Sequence, residues 1–70
     1  MRTIRIRPSS NIAFVEYDDE TKRLQVSFQS GSTYEYEGVP ANIANGFETA
    51  ASPGRYFNAL VKDIYLGTEI

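Results

Sequence analysis

The clearest pattern in the chain is a strict alternation of apolar and polar residues before its midpoint. Leu24, Val26 and Phe28 fall on one side of this run, and the residues between them are polar. Side chains of a β-strand project alternately to its two faces. The pattern therefore predicts a strand with one face in the core and the other in water.

The segments on either side of this run predict two further strands. Ile12 to Tyr17 is apolar, β-branched and aromatic, and the turn-forming run Asp18 to Lys22 separates it from the central strand. On the other side Gly31 supplies a tight turn, after which Tyr34 and Tyr36 alternate with polar residues. The prediction is a three-stranded antiparallel meander with both phenol rings on its apolar face.

The N-terminal residues 1–8 leave two alternatives open. Ile4 and Ile6 share one face of an alternating segment, Thr3 to Arg7, which suits a fourth strand at the sheet edge. The three arginines of this stretch suit a flexible basic arm equally well. Pro8 ends the segment in either case, because proline cannot continue a central strand.

After Gly38 the spacing of apolar residues changes from two to about 3.6, the period of an α-helix. Ile43 and Phe47 fall on one stripe of a first helix. Gly46 is expected to keep that helix short, because an interior glycine costs about 1 kcal/mol relative to alanine.

A second helix is predicted to begin at Ser52 and to end at Gly67. The Ser52 hydroxyl can cap free backbone amides, and Pro53 fits the first helical turn. The apolar residues that follow have the i, i+3, i+4, i+7 spacing of an amphipathic helix. They are Phe57, Leu60, Val61 and Ile64.

Together these elements predict an α+β fold in which two short helices pack on one face of a three-stranded antiparallel meander. We assign residues 9–66 to a single domain, residues 1–8 to the arm or edge strand, and residues 67–70 to a short tail. A 70-residue domain buries only about 60% of the surface of its unfolded chain, so its margin of stability is thin.

Composition excludes several classes of protein. The chain has no cysteine and no histidine, so neither a disulfide nor a conventional zinc centre can support the fold. A net charge of −2 without a run of five or six like charges argues against a general polyanion binder. No apolar run approaches the roughly 18 residues of a membrane span, and the N-terminal residues 1–5 lack the apolar core of a signal peptide. We therefore expect a cytoplasmic protein that makes no membrane contact.

Several short motifs, spread over residues 9–65, occur in an order that resembles a known family, the KTSC domain. A tyrosine-x-tyrosine motif followed by valine-proline and a serine-x-glycine-x-tyrosine-phenylalanine-asparagine segment is the most specific part. The matching residues are Ser9, Ser10, Ile12, Tyr17, Asp18, Leu24, Val26, Phe28, Gly31, Tyr34, Tyr36, Val39, Pro40, Ala51, Ser52, Gly54, Tyr56, Phe57, Asn58 and Tyr65.

The resemblance implies a small domain found as a C-terminal extension of some lysyl-tRNA synthetases and as stand-alone bacterial and phage proteins. RNA binding is suggested for the family from that context, which is an association with a neighbouring enzyme and not a mechanism. The chain contains no synthetase catalytic region, so no aminoacylation activity is implied.

The inventory of reactive residues predicts no catalytic, cofactor-binding or metal site, and the protein is not expected to be an enzyme. The carboxylates of Asp18, Asp19 and Glu20 are interpreted as solvated residues of a hairpin turn. Tyr34 and Tyr36 either stack on unpaired bases or belong to the core beneath the helices.

Other candidate contacts lie at the predicted start of the second helix and in the N-terminal arm. Ser52 and Arg55 accompany free backbone amides that can hold a phosphate or carboxylate, although capping alone explains Ser52. Asn58 is a further candidate on the same helix. Arg2, Arg5 and Arg7 either bind phosphates or pair with acidic residues of the same chain.

The function predicted from these residues is a non-catalytic binding module that acts as an adaptor for an unidentified protein partner. The alternative is binding of RNA or single-stranded nucleic acid through the basic arm, Arg55 and exposed tyrosines. No cofactor is expected, and the protein is expected to be a monomer or a weak homo-oligomer.

Overall fold

The alternating segments form one antiparallel sheet whose five strands lie side by side in chain order. The computed structural model describes all residues 1–70. The strands are β1 (Arg2–Ile4), β2 (Ile12–Asp18), β3 (Arg23–Phe28), β4 (Thr33–Tyr36) and β5 (Gly67–Glu69), and the helices are α1 (Ala41–Gly46) and α2 (Pro53–Leu60). The α+β prediction is confirmed, but the sheet has two more strands than the predicted meander.

The first additional strand lies at the N-terminal edge of the sheet. Ile4 is paired with Val15 of β2, and both side chains are buried. Residues Arg2–Ile4 therefore form the edge strand that was one of the two alternatives. Arg5 and Arg7 lie after the end of this strand and are exposed.

The second additional strand replaces the predicted C-terminal tail. Gly67 is paired with Tyr36 of β4, and the Glu37 amide donates to the Leu66 carbonyl at 3.1 Å. A Cβ at Gly67 would overlap the Tyr36 ring, so glycine is required where this strand passes the phenol. The assignment of residues 67–70 to a tail was wrong, because this pairing joins residues about 30 positions apart and leaves no local pattern.

Helix α2 ends earlier than its apolar stripe predicts. The amides of Val61 and Lys62 both donate to the Phe57 carbonyl, which closes the last turn. Asp63 then adopts a positive φ of 63°, and the chain turns toward β5. Ile64, predicted on the buried stripe, is consequently 59% exposed.

One face of the sheet, here the inner face, carries the core side chains Val15, Leu24, Val26 and Tyr36. Phe47, which directly follows α1, and Phe57 of α2 are buried in the same cluster, so the helices cover this face. The opposite, outer face carries polar side chains together with an exposed phenylalanine, Phe14. Its residues include Glu16, Gln25, Ser27, Thr33, Glu35 and Thr68.

A close contact between the helices explains Gly46. A Cβ on Gly46 would overlap the Tyr56 hydroxyl, which donates to the Ile43 carbonyl at 2.6 Å. The Tyr56 ring also packs edge-to-face on Phe47, with 4.6 Å between ring centroids. The glycine that lowers helix propensity is thus the residue that admits the second helix.

Candidate functional site

A groove opens beside α2 where the helices leave part of the inner face uncovered. It encloses about 300 Å³ and is lined by four aromatic side chains and three polar ones. We call it the aromatic groove. Its residues are Asn11, Phe28, Tyr34, Tyr36, Phe57, Asn58 and Lys62.

The aromatic rings reach the groove from three elements. Phe28 ends β3, Tyr34 and Tyr36 alternate onto the inner face from β4, and Phe57 descends from α2. Phe57 contacts the Phe28 and Tyr36 rings edge-to-face, with centroids 5.3 and 5.6 Å apart. Phe28 contacts Tyr34 in the same way at 6.1 Å. The rings therefore support one another and hold a fixed apolar surface.

Exposure differs along this row of rings. Phe57 and Tyr36 are only 4% and 7% exposed, whereas Phe28 and Tyr34 are half-buried. Tyr34 and Phe28 thus supply most of the aromatic surface that an incoming group can touch. One alternative placed both tyrosines in the core. It holds for Tyr36, whereas Tyr34 lies between the core and the surface.

The hydroxyls of the four tyrosines in the core and the groove fall into two groups. Those of Tyr17 and Tyr56 donate to the backbone carbonyls of Val39 and Ile43. Those of Tyr34 and Tyr36 form no hydrogen bond within the chain and remain in contact with solvent at the groove. Two hydrogen-bonding groups are therefore free to meet a ligand there.

The electrostatics of the groove are mixed. Lys62 is its one lining cation, and Glu69 of β5 is paired with Tyr34 across the sheet. Burial raises the pKa of the Tyr36 phenol, and the neighbouring Tyr34 and Asp63 raise it further. The Tyr36 phenol therefore keeps its proton at neutral pH and can donate a hydrogen bond.

A second depression, of about 400 Å³, lies at the β2–β3 hairpin and is lined by charged side chains. Arg2 donates to Asp19 at 2.7 Å and to Asn45 at 2.7 Å, and its guanidinium lies 5.4 Å from the Tyr17 ring centroid. The hydrogen bond from Arg2 lowers the pKa of Asp19. Arg2 and Asp19 therefore pair with each other within the chain.

Asp18 ends β2 and stabilises the turn that leads to β3. One Asp18 carboxylate oxygen accepts from the amides of Glu20 and Thr21, at 2.9 and 3.3 Å. These hydrogen bonds lower the pKa of Asp18.

No cluster of three or more acidic, histidine or cysteine side chains in the chain has a geometry that could hold a metal ion. Neither helix has the length and apolarity needed to span a membrane.

Comparison with known proteins identifies the family. The sequence-family model of the KTSC domain matches residues 8–65 of the chain. The chain belongs to the KTSC domain family. Its fold is also similar to the crystal structure of a KTSC domain protein from Yersinia pestis. The two share 33% sequence identity and a TM-score of 0.87, over 99% of this chain and 96% of the other.

Sequence relatives of this KTSC domain are of two kinds. An uncharacterized protein of Stutzerimonas stutzeri is 41% identical over 54 residues, which is 77% of this chain and 76% of the relative. A lysine–tRNA ligase of Nostoc punctiforme is 39% identical over 46 residues, covering 66% of this chain but 8% of the ligase. The KTSC domain thus spans a small part of the ligases that it matches.

The structure gathers some of the predicted site residues of the KTSC domain and separates the others. Tyr34, Tyr36 and Asn58 line the aromatic groove. Ser52 caps α2 by accepting from the Arg55 amide at 3.3 Å, as predicted, and Arg55 is exposed on the first turn.

Arg5 and Arg7 do not line the aromatic groove of the KTSC domain, and neither forms an ion pair. Of the three N-terminal arginines, Arg2 pairs with an acidic residue of the same chain, Asp19.

Sequence reasoning missed four groove residues of the KTSC domain. Phe28 and Phe57 were assigned to the core alone, and Asn11 and Lys62 were not singled out. Phe28 offered one signal, since it is the last residue of its strand, where a covering helix most readily leaves a side chain open. Asn11 and Lys62 offered none, because their proximity to the rings depends on the path of α2.

Proposed function

We propose that this KTSC domain is a non-catalytic module that binds a protein partner through the aromatic groove. The observation that carries the proposal is the row of aromatic rings ending at the half-buried Tyr34, beside two phenol hydroxyls without partners in the chain. Rigid aromatic surface with polar groups at its rim is typical of binding hot spots.

The size of the groove suits a short peptide segment. About 300 Å³ accommodates one large apolar side chain together with its neighbouring backbone. In the proposed complex the anchor side chain packs on Tyr34 and Phe28. The phenols, Asn58 and Lys62 then hydrogen-bond to backbone carbonyl groups of the peptide.

Charge favours a peptide over a polyanion at this site. A nucleic acid needs several cations along its phosphates, whereas the groove has Lys62 alone and is accompanied by Glu69 and Asp63. A peptide with an apolar anchor requires no such array.

The test is selection of peptides from a random library on the folded chain, followed by NMR titration of one selected peptide. We expect amide shifts at Tyr34, Asn58 and Lys62, and loss of at least about tenfold in affinity for Tyr34→Ala. The matched control is Phe14→Ala, which removes an aromatic side chain exposed on the outer face. Equal loss in both variants, or shifts confined to other surfaces, would contradict the proposal.

A second candidate function is binding of RNA or single-stranded nucleic acid. It is favoured by the match to lysine–tRNA ligases, together with the exposed cations Arg5, Arg7 and Arg55. Titration with mixed single-stranded RNA should then give an affinity that falls steeply with salt and a quenched tyrosine fluorescence. Unmoved amide peaks at low salt exclude this candidate. For either function we propose a cytoplasmic location, which suits the cysteine-free composition.

A further inference from the structure

Strand β5 leaves one edge of the sheet open. The Glu37 amide donates to the Leu66 carbonyl, and the Ile70 amide donates to the Thr33 carbonyl at 2.9 Å. Residues 66, 68 and 70 therefore direct their backbone groups toward β4. Because these directions alternate in an antiparallel pair, Gly67 and Glu69 direct their N–H and C=O groups away from the sheet.

The side chains around this edge are exposed and partly apolar. All residues of β5 are exposed, and the flanking Leu66 and Ile70 are 71% and 63% exposed. Thr68 is paired with Glu35, so the side chains of residues 66, 68 and 70 share the outer face.

The other edge of the sheet is protected in the way that natural sheets usually are. Beyond β1 the chain carries Arg5, Arg7 and then Pro8, and charged residues and proline discourage strand addition. The two edges thus differ: β1 is preceded by one exposed apolar residue, Met1, and followed by charged residues and proline, whereas β5 has an exposed apolar residue at each end.

We propose that β5 pairs with β5 of a second copy of this chain, antiparallel, around a two-fold axis at Thr68. In this register Gly67 faces Glu69 of the second copy, and the two residues exchange hydrogen bonds through their outward backbone groups. Leu66 faces Ile70 of the second copy, and both contacts occur twice by symmetry. The exposed apolar side chains cover one another, and Glu69 faces a glycine.

Other registers satisfy fewer of these groups. A shift of one residue sets outward backbone groups against inward ones, so the hydrogen bonds are lost. A two-fold axis at Gly67 places Leu66 against Thr68, and an axis at Glu69 places like charges together. The sequence from Leu66 to Ile70 is therefore complementary to itself only about Thr68.

The pairing produces one continuous ten-stranded sheet from two five-stranded ones. Its two-fold axis runs perpendicular to the sheet, so both aromatic grooves open on the same side. The interface is formed by the β5 edge and the outer face. The proposed pairing therefore does not depend on the function proposed for the aromatic groove.

A cysteine cross-link tests the register, because the natural chain contains no cysteine. In Thr68→Cys the two thiols meet across a non-hydrogen-bonded pair with Cα atoms about 4.5 Å apart, within the range of a disulfide. We expect a covalent dimer on mild oxidation, whereas the control Thr49→Cys, at an exposed turn, stays monomeric. Absence of a cross-link in the Thr68→Cys variant, or equal cross-linking of both variants, overturns the proposal.

Sedimentation of the full chain supplies the second test. We expect a mass that rises with concentration toward twice 7.9 kDa. The variant L66K/I70K sets lysine against lysine and should weaken association about tenfold or more, whereas L66K/I70E sets lysine against glutamate and should restore it. A wild-type chain that stays monomeric at millimolar concentration, or two variants that associate equally, overturns the proposal, whatever other strand binds this edge.

Discussion

At the scale of single residues, two glycines lie where an aromatic ring needs the space of a missing Cβ. Gly67 lies under the Tyr36 ring in the sheet, and Gly46 lies under Tyr56 between the helices. In both pairs the ring covers backbone that a larger residue would push away. Glycine is therefore required by packing at these positions. A positive φ plays no part, since among the glycines only Gly31 and Gly38 have one.

Gly46→Ala should destabilise the protein, although alanine is the better helix former. The added methyl overlaps the Tyr56 hydroxyl, and overpacking of this kind costs about 1 to 3 kcal/mol. The control is Gly54→Ala in α2, whose Cβ would meet Asn11 at an ordinary 3.7 Å and should stabilise the protein by up to about 1 kcal/mol. Urea denaturation measures both changes, and the same sign for both would contradict this account.

Tyr17 makes stability sensitive to alkaline pH. Its hydroxyl donates to the Val39 carbonyl in the core, and burial raises its pKa, with a further contribution from Asp19. Below pH about 10 the phenol is neutral in both states, so its contribution is complete. As the pH rises further the unfolded chain loses the proton first, and the free energy of unfolding falls.

The prediction is a steeper loss of stability above about pH 10 for the wild type than for Tyr17→Phe. At neutral pH the variant should be less stable by about 1 to 3 kcal/mol, because the Val39 carbonyl loses its buried donor. Urea unfolding at a series of pH values measures both effects. Identical pH profiles would exclude Tyr17 as the titrating group, and Tyr36 and Tyr56, whose pKa values burial also raises, would remain.

At the scale of elements, local signals define where helices begin better than where they end. Helix α2 starts at the predicted serine cap, but it stops at Leu60, where the chain must turn to reach β4. A cap is made by residues a few positions apart. The end of α2 depends on the pairing of β5 with β4, which no residue within the helix predicts.

Ser52→Ala should therefore destabilise the protein by about 1 kcal/mol, since the Arg55 amide loses its acceptor at the start of α2. Ser30→Ala, at an exposed turn, serves as the control and should change stability by less than about 0.5 kcal/mol. Thermal unfolding followed by circular dichroism compares the two. An unchanged midpoint for Ser52→Ala would show that the cap contributes nothing to the folded state.

At the scale of the whole molecule, a single cluster of 12 buried residues supports the entire chain. It contains residues from four strands and both helices, so the loss of one large side chain weakens the packing of the whole chain. The aromatic groove lies at the border of this cluster and shares Tyr36 and Phe57 with it. Binding surface and core are consequently built from the same rings.

Phe57→Ala should remove much of the total stability. A buried Phe→Ala substitution costs about 3 to 5 kcal/mol, against about 4 to 10 kcal/mol for a chain of this length. Phe14→Ala is the matched control, because Phe14 is 51% exposed whereas Phe57 is 4% exposed. Its effect should stay near about 0.5 kcal/mol or below. Comparable losses in urea denaturation for the two variants would contradict the assignment of inner and outer faces.

The sequence by itself determined the elements that depend on neighbouring residues. Apolar and β-branched content defined β2, and alternation defined β3 and β4. The Ser52-Pro53 pair located the start of α2, and motif order indicated the KTSC domain that comparison confirmed. Each of these signals lies within one element or in a short segment, where strand period, capping and motif spacing act directly.

Only the tertiary structure decided the β5 pairing, the end of α2 and the composition of the aromatic groove. Each depends on residues distant in the chain, such as Tyr36 beside Gly67, or Asn11 and Tyr34 lining one groove. These contacts form only when α2 and β5 pack together with the rest of the sheet. Because that packing is a property of the assembled chain, no local pattern in the sequence specifies it.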